Sequence, residues 1–133
     1  MLFNFETGKQ ITNIPHYADY KRWMSQLSDN DYQKIYDTIT DHIEEKLNSN
    51  KPVTTSWIAP SIWDNTVYEP LYTACGCNFT HAGYFLGLIV FKMMMDRSEN
   101  WYFGKFSKNG REIKSLTYFT EKGGNWLWQM HGY

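Results

Sequence analysis

One stretch constrains this chain more than any other: Phe79 to Met95, FTHAGYFLGLIVFKMMM. It is too long for an ordinary strand and contains no proline. Its Leu, Met and Ala favour a helix, while Ile89, Val90 and two glycines oppose one only weakly. Asn78 or Thr80 offers a side-chain oxygen to the free N–H groups of a first turn, and Asp96-Arg97-Ser98 ends the pattern. At about 100° per residue, Phe85, Leu88, Val90 and Met93 point in different directions. A helix over 79–96 that is apolar on every side is expected to be buried on every side, at the centre of the fold. A membrane-spanning helix needs about 20 apolar residues. Here the run from Ala82 to Phe91 is ten residues and Lys92 ends it, so no membrane span is expected. Gly83 and Gly87 share a face; the expectation is another element packed against their bare backbone, the alternative a groove for a ligand or partner.

The remaining segments cover this helix. Phe3 and Phe5 alternate with Asn4 and Glu6, which suggests an arm or short strand within 1–14. Pro15 suits a first helical position, and Tyr17, Tyr20, Trp23, Met24 and Leu27 form one stripe of a helix over 15–27. Ser28 or Asp29 can cap a second helix, whose stripe is Tyr32, Ile35, Tyr36, Ile39, Ile43 and Leu47. Its other face carries Asp37, Asp41, Glu44 and Glu45, read as solvated. Residues 53–58 are β-prone. A further helix is expected over 66–73, with Pro70 either starting or breaking it.

The clearest short-range signal follows the central helix. Residues 101–106 and 113–119 flank Lys108-Asn109-Gly110-Arg111, and Asn-Gly tolerates the positive φ angles of a tight hairpin turn. An antiparallel hairpin over 101–119 is therefore predicted, and Trp126 to Met130 is a candidate last strand. With no repeat, linker or low-complexity tract, the 133 residues read as a single compact α+β domain. It divides into the arm (1–14), a mainly helical part (15–96), and a hairpin with a C-terminal segment (100–133). From Asp29 onward the element order resembles that of a winged helix: helix, strand, two helices, two-stranded wing.

The net charge of −1 gives no global attraction to nucleic acid or anionic membrane. Residues 97–133 are mildly basic, with six Lys/Arg against three Asp/Glu. Cys75 and Cys77 are too close for good disulfide geometry. With His81 they form the one candidate metal or nucleophile cluster, but a single residue separates the thiols, where zinc and redox motifs use at least two. Both cysteines are read as small buried thiols beside a helix start, reduced and unliganded, His42 as solvated and His81 as structural. No phosphate-cradling glycine loop is present, and no cofactor is expected. MLFNFETGKQ carries Glu6 and lacks an apolar signal core, so a cytoplasmic setting is expected.

What remains is an aromatic content of 18%, including six Trp and ten Tyr. Large aromatics fill small cores, and they also dominate protein–protein interfaces. The expectation is a non-enzymatic protein acting through a protein partner, as adaptors, immunity proteins, antitoxins and phage or plasmid inhibitors do. Tyr102, Trp126, Trp128 and Tyr133 are its candidate contacts, and a second copy of the chain is one candidate partner. The alternative is a nucleic-acid-binding regulator that grips phosphates through Lys105, Lys108, Arg111 and Lys114.

Overall fold

The computed structural model describes residues 1–105, 107–108, 111–112 and 115–121, the pairs 107–108 and 111–112 by their backbone alone. The architecture is mixed α+β, with five helices and a five-stranded sheet among the described residues.

The helices follow from their caps and stripes. α1 spans Tyr17–Met24. Pro15 lies outside it, because His16 takes a left-handed φ of 52° at the N-cap and its carbonyl accepts the first helical bond, from the Tyr20 N–H. The expected stripe is only partly used: Trp23 is buried, whereas Tyr17 is exposed. α2, Asp29–Asn48, is capped as the sequence predicts, by Ser28 Oγ accepting from the Asp31 N–H at 3.1 Å. Ile35, Ile39 and Ile43, spaced four apart, are fully buried.

β3 is only Val53–Thr54, and Thr55–Ile58 turns at once into a short helix, α3. The β-prone run therefore breaks in its middle, where the Ser56 N–H donates to Ser115 Oγ at 2.9 Å instead of continuing a ladder. α4, Glu69–Ala74, places Pro70 in the first turn, where no intrahelical N–H is required. Gly76 and Cys77 both take left-handed backbone (φ 66° and 58°), which reverses the chain before α5.

α5, Phe79–Asp96, is the central helix, capped by Asn78 Oδ1 accepting from the His81 N–H. Phe85, Leu86, Leu88, Ile89, Val90 and Met93 are all buried, as expected. Two expectations fail at its N-terminal half. Phe79 and Tyr84 are 60% and 62% exposed, so burial does not run all the way round. At Gly83 and Gly87 an added Cβ meets no atom within 4 Å. No described element packs against that bare backbone, and the two glycines leave an open strip instead.

The sheet runs β2 (Gln10–Ile11), β1 (Leu2–Asn4), β4 (Trp101–Gly104), β7 (Thr117–Phe119), β3. β1 lies parallel to β4, and every other neighbour is antiparallel. β5 (Ser107–Lys108) and β6 (Arg111–Glu112) form a separate antiparallel pair. The inner face presents Leu2, Trp101, Phe103, Tyr118 and Val53 to the helices. Phe91 of α5 meets Phe103 and Tyr118 edge-on, with ring centroids 5.6 and 6.5 Å apart.

Arg97 ties the end of α5 to its neighbours. It donates to Glu44 on α2 at 2.6 Å and to both carboxylate oxygens of Glu99, which also accepts from the Trp101 indole N–H. Donating to the Glu99 carboxylate holds the Arg97 guanidinium in its charged form. The bonds from Arg97 likewise keep the Glu99 carboxyl below the usual carboxylate range. Asp37, Asp41 and Glu45 are exposed, as expected for a solvated face, but Glu44 is engaged in this network.

Candidate aromatic face and the other sequence-predicted sites

Strand alternation sends Trp101 and Phe103 into the core and Tyr102 to the opposite face. The register places Phe3 on one side of Tyr102 and Phe119 on the other, each directly across a strand. Their rings form a row: Phe3 to Tyr102 is 5.6 Å at 31°, and Tyr102 to Phe119 is 6.0 Å at 30°. Phe5 closes on Phe119 at 5.2 Å and 71°, an edge-to-face contact. Cross-strand aromatic pairs of this kind add stability beyond their burial.

Exposure varies along the row. Phe5 is 55% exposed, Phe3 and Tyr102 are half-buried, and Phe119 is buried. Further along the same face, Thr54 and Thr117 are fully buried, and their hydroxyls satisfy each other at 3.2 Å. The outer face of the sheet is thus aromatic over β1, β4 and β7 and becomes hydroxyl-lined towards β3.

Of the candidate contacts, Tyr102 sits at the middle of this row. Trp126, Trp128 and Tyr133 lie outside the described residues, as do Lys114 and Asn109-Gly110, where the sequence predicts a hairpin turn. Lys105 is exposed just after β4. Lys108 and Arg111 are register partners across β5 and β6. Arg97, just before β4 in the chain, is committed to Glu44 and Glu99.

Phe3, Phe5 and Phe119 are the described residues of this face that sequence reading missed. The alternation at 1–6 signalled that Phe3 and Phe5 share a side, but not that the side faces away from the core. Only Leu2, which is fully buried, fixes that phase.

The cysteine–histidine cluster is spread apart in character. Cys75 is buried, and burial pushes its thiol up to about 11, against a lesser opposing pull from Arg22. Cys77, expected to be buried, is instead exposed, because its left-handed turn carries it away from the core. His81 is exposed on α5, with its ring between Trp23 (5.6 Å) and Tyr84 (6.4 Å). Among the described residues no three His, Cys, Asp or Glu side chains are grouped as metal ligands. A thiol held protonated is a poor nucleophile.

His42 departs from the solvated reading. Its Nε2 is buried without a hydrogen-bond partner, and burial, aided by Lys46, lowers its pKa. Trp63, also buried, leaves its indole N–H unpartnered while its ring stacks on Tyr72 and meets Phe79 edge-on.

A cleft of about 400 Å³ opens between the start of α2 and α4. Leu27, Val67 and Pro70 line it alongside Asp31, Lys34 and Glu69, and no described histidine or cysteine lines it. No described helix is long and apolar enough to cross a membrane. Compared with models of known families, with curated proteins and with solved structures, the chain matches none of them.

Proposed function

We propose that this protein is a non-enzymatic, cytoplasmic binding protein that acts by occupying a surface of a protein partner. Tyr102 and the C-terminal aromatics Trp126, Trp128 and Tyr133 are the contacts. One observation carries the reading: Tyr102, on a central strand, is only half-buried on the face away from the core, its ring in line with that of Phe3. Aromatic rings bring large contact area with little side-chain entropy to lose, which is why they anchor protein interfaces. A near-neutral chain gains little from electrostatic steering, so apolar anchors are left to supply its affinity. An adaptor, an immunity protein, an antitoxin or a phage- or plasmid-type inhibitor would all fit.

A second reading makes the chain a winged-helix-like regulator. In it, residues 101–119 form one hairpin, whose tip grips phosphates through Lys105, Lys108, Arg111 and Lys114. The pairing of Lys108 with Arg111 across β5 and β6 supports it, because two cations share one register position. The commitment of Arg97 to two carboxylates weighs against it, since that charge is already neutralised.

Capture from a lysate of the native host, split into samples with and without nuclease, separates the two. Under the first reading the same protein is retained in both samples. Loss of all captured material on nuclease treatment overturns it. Salt gives an independent check, since each phosphate contact contributes roughly 0.9 to the slope of log affinity against log salt on duplex DNA, and an aromatic anchor contributes almost nothing.

A further inference from the structure

We draw no further inference here: the strongest candidate, the open strip of the central helix where Gly83 and Gly87 lie bare beside the exposed rings of Phe79 and Tyr84, is an apolar helix face and nothing in the structure shows what covers it.

Discussion

Phe3 and Tyr102 lie directly opposite each other on parallel strands, with ring centroids 5.6 Å apart on the face of the sheet that turns away from the helices. Nearly a hundred residues separate them in the chain. Their meeting joins the N-terminal strand to the strand that follows the central helix, and it builds the surface on which the functional proposal rests.

The core should respond to truncation at α5. Ile89 is fully buried and Leu88 nearly so. Changing either to Ala should cost about 2–5 kcal/mol, from lost transfer energy plus the cavity left behind. Urea unfolding with an unchanged slope measures this. A loss below about 1 kcal/mol at both positions, as at ordinary surface sites, would mean that this helix is not the centre of the fold.

Gly83 and Gly87 should behave in the opposite way. Both are helical, and an added methyl group meets open space. Ala at either position should stabilise the protein by about 0.5–1 kcal/mol, because glycine loses more backbone freedom in a helix. A clear fall in melting temperature for Gly83→Ala and Gly87→Ala would show that something packs there after all.

The two thiols should label at very different rates. Cys77 is exposed, while Cys75 is buried with its pKa raised to about 11. At neutral pH a thiol reagent should modify Cys77 in the native protein and reach Cys75 only after denaturation, as mass spectrometry of the labelled peptides would reveal. Equal labelling of both cysteines in the native state would contradict the burial.

His42 should make the protein sensitive to mild acid. Its folded-state pKa lies below the ordinary 6.5, so the unfolded chain takes up the proton first. Stability is therefore intact above about 6.5 and is lost as the pH falls from there through the folded-state value. Melting temperatures measured between about pH 7 and pH 5 should fall more steeply for the wild type than for His42→Gln. Parallel curves would show that His42 does not carry this sensitivity.

How much of this was legible beforehand depended on whether the deciding interaction was local. The caps at Ser28 and Asn78, the isoleucine stripe of α2 and the buried face of α5 are local, and residue spacing predicts them. The start of α1 differs from the sequence expectation because the left-handed turn at His16 is not written in its residue type. β3 came out short because Ser56 bonds to Ser115, fifty-nine residues away. Gly83 and Gly87 look alike in sequence whether a neighbour approaches or not. The aromatic row was only partly visible: Tyr102 stood out by itself, but its partners Phe3 and Phe119 come from distant strands whose register no local pattern specifies.

The central proposal is tested most directly by the affinity of the purified partner, once captured, for three variants shown by circular dichroism to stay folded at the assay temperature. These are Tyr102→Ala, the pair Trp126→Ala with Trp128→Ala, and a neutralised set in which Lys105, Lys108, Arg111 and Lys114 are all Gln. Loss of an interface anchor costs at least about 2 kcal/mol, a thirtyfold or greater weakening. That weakening is expected for the tryptophan pair and for Tyr102→Ala, with the neutralised set binding as the wild type does. Unchanged partner affinity in both aromatic variants, or duplex DNA binding at physiological salt that disappears with the four charges, would contradict the proposal.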